Sequence, residues 1–385
     1  MKLARLHTFF PRLVLLLLLT PLQAFASQVN FYGHGVSFAD YTLPQVSLKK
    51  VNETSLTRLN NAIKQTDVSR LSQEIKHKQR DFNLDDLGML KLLDQRLAKF
   101  YTDHNRRTLL KWRILSHLKY DVLLTYSNDV VDCFGTMNFK PLENVYILRK
   151  NKRYNNLNFS DKRTYGNRFI FKGQSAVGRK LVFDSRKRPR IFNRKKSRTI
   201  TFTYKQQEYS ISAEGNGSLM EYYNDLPAID FSKSYLHNGF SQEAKNSVIL
   251  ELKNITADMN KRESIGLLLK FVQSAFPYKS DYDNHGREKY NFPEETLFEK
   301  YSDCEDRTLL LAGLVREILD LNSVALYFEK DEHMSLAIEM SEYKNSYSFK
   351  YDEKLFVACE PTGRNYRFGQ SAIALERVTR VYKLY

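Results

Sequence analysis

The chain has 385 residues, 42% of them hydrophobic, enough for two or three domains and a substantial core. Its 60 Lys and Arg against 44 Asp and Glu give a net charge of +16. Three cysteines, Cys133, Cys304 and Cys359, exclude a disulfide scaffold. At most one bridge can form, and no C-x-x-C pair or Cys/His cluster with zinc spacing occurs, so no metal site is expected.

In chain order, residues 1–26 read as a cleaved secretory signal. Lys2, Arg5 and Arg12 precede the apolar run Leu13–Leu19, and Ala24-Phe25-Ala26 supplies an A-x-A cleavage site. The run is short for a bilayer span, and a retained N-terminal anchor is the rival reading. Loss of those three cations takes the charge from +16 to +13. The mature protein is expected in the periplasm or secreted, so nucleic acid is not an expected partner.

Residues 28–54 show little periodicity and read as an irregular lead-in. From Asp67 to about Leu118 the pattern is helical. Leu71 and Ile75 mark one helix, and Leu84, Leu87, Leu90, Leu93 and Leu97 a second. Leu109, Leu110, Ile114, Leu115 and Leu118 mark a third. Asn83 or Asp81 is the expected cap of the second. A strand follows at Tyr120–Tyr126, completing an α-rich domain over 27–134.

From 135 to 240 short alternating runs predict an antiparallel β domain, a small sandwich or barrel. Its strands are expected at 144–148, 168–171, 180–183, 199–204 and 208–213, with Asn216-Gly217 as a hairpin-type turn. A basic run occupies Arg186, Lys187, Arg188, Arg190, Arg194, Lys195, Lys196 and Arg198. It reads as a solvated hairpin with its flanks, or as a surface for an anionic envelope component.

Residues 241–385 predict an α+β domain. A helix at 264–275 is followed by a loop holding Asp281, Asp283, Asn284, Gly286 and Pro293. A second apolar helix starts near Cys304, and strands follow at 323–328, 333–340, 347–351 and 354–359. A near-repeat underlies this. YTDHNRRTLL (101–110) and YSDCEDRTLL (301–310) agree at six of ten positions, and Leu87-Gly88-Met89-Leu90 echoes Ile265-Gly266-Leu267-Leu268. Either the chain carries a degenerate first copy, with His104 in place of Cys304, or two amphipathic helix starts coincide by chance.

Cys304 stands where a helix start lowers a thiol pKa, capped by Asp303 or Ser302. Glu305 and Asp306 act against a thiolate. His333 opens a later strand, and Glu360 ends the strand after that, beside Pro361-Thr362-Gly363. Cysteine, histidine and acid in that order suit nucleophilic catalysis: the imidazole takes the thiol proton and the acid fixes its tautomer. If the two strands share a ladder, Glu360 lies beside His333. Cys359, on a strand, reads as core. Gln273 reads either as an oxyanion donor or as a polar residue on a wet helix face.

The segments FVQSAFPY (271–278), FPEETLFEKYSDCEDRTLL (292–310), the histidine strand and CEPTG (359–363) resemble the transglutaminase-like superfamily, notably its exported bacterial members. The resemblance implies a papain-like α+β fold, with Cys304 as nucleophile, His333 as base and Glu360 as third member. Asp is commoner than Glu at that third position, and Gly is common where Glu332 precedes the histidine. Hydrolysis of an amide in a peptide or protein substrate is the expected activity, with acyl transfer to an amine next to it. Peptidoglycan cross-links are one possible target. No cofactor is implied, and the absence of a calcium-type acidic loop argues against calcium activation. The alternative is a non-catalytic envelope-binding protein that uses the same cleft.

Overall fold

A computed structural model describes residues 27–42, 48, 50–127, 129–159, 167–173, 178–191, 194–229, 234–237 and 239–384; the expected leader lies outside them. The described chain opens on a hairpin where an irregular lead-in was expected. Strands β1 (Ser27–Phe31) and β2 (His34–Phe38) pair antiparallel around Tyr32-Gly33, both at positive φ. Val29, Phe31, Val36 and Phe38 are all buried on one face. Three of the next four helices match the apolar spacing, and the first was unforeseen: α1 (Glu53–Lys64), α2 (Val68–Asp81), α3 (Asp86–Phe100) and α4 (His104–His117). Asp85, not Asn83 or Asp81, caps α3 by accepting the Gly88 N–H at 2.8 Å.

Strands β3 (Val122–Tyr126), β4 (Val131–Gly135), β5 (Tyr146–Arg149), β6 (Lys152–Asn156) and β7 (Phe169–Ile170) form one antiparallel sheet in the order β5-β6-β4-β3-β7. The expected boundary at 134/135 therefore falls inside β4. Strands assigned to a separate β domain complete the sheet that α4 covers. Residues 180–183 contribute only a bridge from Leu181 to Met137. The hairpin β8 (Lys195–Tyr204) and β9 (Gln207–Asn216) turns at Lys205-Gln206, both at positive φ. Asn216 instead caps α5 (Gly217–Asn224), so Asn216-Gly217 is a strand-to-helix junction.

Short helices α6 (Ser234–His237) and α7 (Gln242–Ala244) lead through a π turn at Lys245–Ile249 into α8 (Leu250–Thr256). Then come α9 (Lys261–Ala275), α10 (Asp281–His285), α11 (Pro293–Phe298) and α12 (Cys304–Leu319). Hairpin β8–β9 packs on α9, with Phe202 edge-on to Phe271 at 5.3 Å. Strands β10 (Ser323–Phe328), β11 (His333–Glu339), β12 (Ser348–Tyr351), β13 (Lys354–Cys359) and β14 (Arg380–Lys383) form a second five-stranded antiparallel sheet, ordered β12-β13-β11-β10-β14.

The two sheets have one topology. Replacing β3 to β7 by β10 to β14 converts one order into the other, and each sheet follows an apolar helix whose first turn carries the repeated sequence. The hairpin registers agree: Tyr126 pairs with Val131 and Phe328 with His333 across equal connections. Phe134 pairs with Asn156 as Leu336 pairs with Cys359. The repeat is thus one helix–sheet unit built twice. Gly88 and Gly266 hold equivalent places, and at each an added Cβ would meet a tyrosine hydroxyl, Tyr222 at 2.8 Å or Tyr204 at 3.0 Å. The second unit differs by inserting α10 and α11 between its two long helices.

Candidate active site

Cys304 is the first residue of α12. Asp303 is the cap, accepting the Asp306 N–H at 3.3 Å. Helix α12 packs across β11, whose first residue is His333. Glu332, just before it, sits at φ 47° and ψ 45°, in the left-handed region where glycine is unstrained. Strand β13 pairs directly with β11, and Glu360 follows its last residue. The carboxylate Oε2 lies 3.0 Å from His333 Nε2, and Oε1 accepts the Thr362 N–H at 3.0 Å. Glu360 is fully buried, while the His333 side chain keeps 17% exposure. With Nε2 engaged, Nδ1 is the ring nitrogen left for chemistry.

The thiol is 5% exposed and donates to Glu305 Oε2 at 2.8 Å. The Met334 backbone N–H, next to His333, faces the sulfur. Among the described residues no hydrogen bond joins Cys304 to His333. The opposing influences at the helix start are decided against the thiolate. Burial, then the charges of Glu305 and Asp303, push the thiol well above its ordinary pKa. Burial pulls His333 down, but the hydrogen bond and charge of Glu360, helped by Glu305 and Asp331, leave its pKa raised. At rest the site is a neutral thiol and, on the strand whose Met334 N–H faces it, a carboxylate-held imidazole; His333 itself is not among the residues lining the cleft at Cys304.

Two residues brace this arrangement. Arg307 is 1% exposed. It donates Nε to Ser302 Oγ at 3.0 Å, one terminal nitrogen to the Thr362 carbonyl at 2.9 Å, and the other to the Phe276 carbonyl. It therefore ties the cysteine turn to the loop that holds Glu360. Gln273, read either as an oxyanion donor or as a polar residue on a wet helix face, is instead buried and commits its amide nitrogen to the carbonyls of Glu360 at 2.8 Å and Tyr366 at 3.0 Å. It supports Glu360 from below and does not line the cysteine cleft.

That cleft has a volume of about 510 Å³. Its carboxylates are Asp281, Glu288, Asp303, Glu305 and Glu332, against the single guanidinium of Arg380. Tyr278, Tyr282, Tyr290, Tyr327 and Tyr382 supply its aromatic wall. An acidic cleft in a chain of +16 was not legible from composition. Tyr278 is over half exposed. Burial of its hydroxyl and the nearby charges of Cys304, Asp303 and Glu305 push its pKa up to about 12, keeping a neutral phenol beside the thiol.

Behind Cys304, one oxygen each of Asp281, Asp303 and Asp306 lie within 4.8 Å of one another, all buried. Asp306 accepts from the Asn291 backbone at 2.8 Å and its side chain at 2.6 Å, and Asp281 accepts the Lys289 N–H at 2.7 Å. Burial, then neighbouring carboxylates, push Asp281 up to about 7 and Asp306 to about 8. Asp281 stands 22 and 25 residues before the other two, so the trio gave no sequence signal.

Cys133 and Cys359 are free and buried on strands, their thiols pushed up by burial. Four of the eight cations of the basic run are ion-paired: Arg186 with Asp184, Arg188 with Glu294, Arg194 with Glu221 and Lys195 with Glu214. Arg198 donates to the Leu297 and Glu299 carbonyls. Among the described residues no helix is long and apolar enough to cross a membrane. In comparisons with known proteins, no family model and no curated protein matches the chain.

Proposed function

We propose that the protein is an exported, thiol-dependent amide hydrolase of the transglutaminase-like, papain-like type, with Cys304, His333 and Glu360 as its catalytic residues. The observation that carries this reading is the 3.0 Å pair of His333 Nε2 with buried Glu360, on the strand whose next N–H faces the Cys304 sulfur. Such a pair has its use where an imidazole must hold one tautomer and accept a proton at the other nitrogen.

The thiol proton passes from Cys304 Sγ to His333 Nδ1, and the sulfur attacks the substrate carbonyl. The first N–H groups of α12 and the Tyr278 hydroxyl are the donors proposed for the tetrahedral oxyanion. As the C–N bond breaks, imidazolium returns its proton to the leaving amine. A water, deprotonated by His333, then cleaves the thioester; an amine in its place would give transamidation. The three cleft carboxylates that are not buried, Glu288, Glu305 and Glu332, and the tyrosines favour a peptide of net positive charge.

The test is a peptide carrying a thiol-reactive group in place of the scissile amide. Labelling of Cys304 that disappears in His333→Ala supports the reading. Labelling indifferent to His333→Ala, or none in folded protein, overturns it in favour of a binding protein.

A further inference from the structure

The two units differ most in one groove. In the second it is closed: Gln273 donates to the carbonyls of Glu360 and Tyr366, and Arg307 to those of Thr362 and Phe276. The shared register puts Gln95 at the place of Gln273, Arg107 at that of Arg307 and Ala98 at that of Phe276. It also puts Leu157 at the place of Glu360 and Phe159 at that of Thr362. In the first unit these five residues line an open cleft of about 410 Å³, a volume suited to a few residues of peptide.

The cleft has polar capacity to spare. Lys91 is paired with Asp225 at 3.0 Å, and Lys111 with Asp94 at 2.7 Å and the Leu157 carbonyl at 3.0 Å. Arg107 makes one long bond, 3.4 Å to the Tyr101 carbonyl, and has no carboxylate partner among the described residues. Gln95 Oε1 is buried with no hydrogen-bond partner among the described residues. A guanidinium fork is thus left without an anion, and an amide oxygen without a donor. In the second unit the matching side chains bind peptide carbonyls.

We propose that this cleft is a recognition site for the C-terminus of a peptide, its carboxylate on Arg107 and a backbone N–H on Gln95 Oε1. The first unit, with His104, Val131 and Leu157 where the second has Cys304, His333 and Glu360, is then a binding copy of the catalytic unit. The proposal does not depend on Cys304 being catalytic.

Trp112, the one tryptophan, follows Lys111 on α4 and gives a fluorescence readout, with calorimetry as a second. The probes are tri-alanine and its C-terminal amide, titrated to about 10 mM. Tri-alanine should bind wild type and Cys304→Ala alike. The amide should bind at least about tenfold more weakly, because a bidentate charged pair is lost. Arg107→Gln should fold, as judged by circular dichroism, and lose the preference for the acid. The idea is overturned by no binding of tri-alanine, by equal binding of acid and amide, by a preference that survives Arg107→Gln, or by binding lost in Cys304→Ala.

Discussion

Arg307 and Arg107 occupy one position in two copies of one unit, so the same substitution tests the same residue in two environments. Arg307→Met keeps the apolar stem and removes three hydrogen bonds, leaving the Thr362 and Phe276 carbonyls without their buried donor. Bonds to a charged group are worth about 1.5–3 kcal/mol each, and members of one network do not add fully. The expected loss of stability is about 3–5 kcal/mol. Arg107→Met removes a single 3.4 Å bond from a half-buried side chain, and should cost less than about 1 kcal/mol. Urea unfolding followed by far-UV circular dichroism measures both. The Thr362 N–H holds Glu360, so Arg307→Met should also slow labelling of Cys304 by the peptide probe, whereas Arg107→Met should leave it unchanged. Costs that agree within about 1 kcal/mol would refute the assignment of Arg307 as the brace of the loop that holds Glu360.

Three further outcomes follow from the electrostatics. Glu360→Gln removes what holds the His333 pKa up, so imidazole NMR titration should show it fall. In wild type the raised pKa contributes stability below the ordinary histidine range and loses it as pH rises through the folded-state pKa. The variant should lose about 1.5–3 kcal/mol, most of it at low pH. Asp281, held at about 7 against an ordinary 3.8, keeps its proton longer in the folded state, so its contribution makes stability fall as pH rises from about 4 to about 7. Asp281→Asn should flatten that slope and gain at most about 4 kcal/mol by pH 8 in unfolding experiments. Burial first, and then the charge of Glu305, hold the Cys304 thiol neutral, and Glu305→Gln removes the second of these. Alkylation of Cys304 by iodoacetamide at neutral pH should speed up, while Cys133 and Cys359 stay unreactive in folded protein.

Local signals carried much of the fold. The 3.6-residue spacing of Leu84 to Leu97 and Leu109 to Leu118 located α3 and α4, and the run from Leu309 located α12. The order Cys304, His333, Glu360 was legible because a helix start, a strand start and a strand end each have their own residue chemistry. The near-identity of residues 101–110 and 301–310 pointed to the duplication, and only the matching strand orders established it. The early β-hairpin was missed because its alternation is broken by Tyr32 to His34, whose turn depends on backbone angles that composition does not display.

What the sequence determined by itself is the periodicity of its elements and the identity of the groups at their ends, since both depend on neighbours within a few residues. The tertiary structure decided which strands shared a sheet, and so split the expected β domain: β5, β6 and β7 joined the first unit's sheet, while the β8–β9 hairpin packed on α9. It turned Gln273, readable as an oxyanion donor or as a residue of a wet helix face, into a buried support for Glu360, because two carbonyls 87 and 93 residues away accept from its amide. It also set the charge on Cys304. Burial and two carboxylates outweigh the helix start, and neither burial nor the direction of Glu305 can be read from its place in the chain.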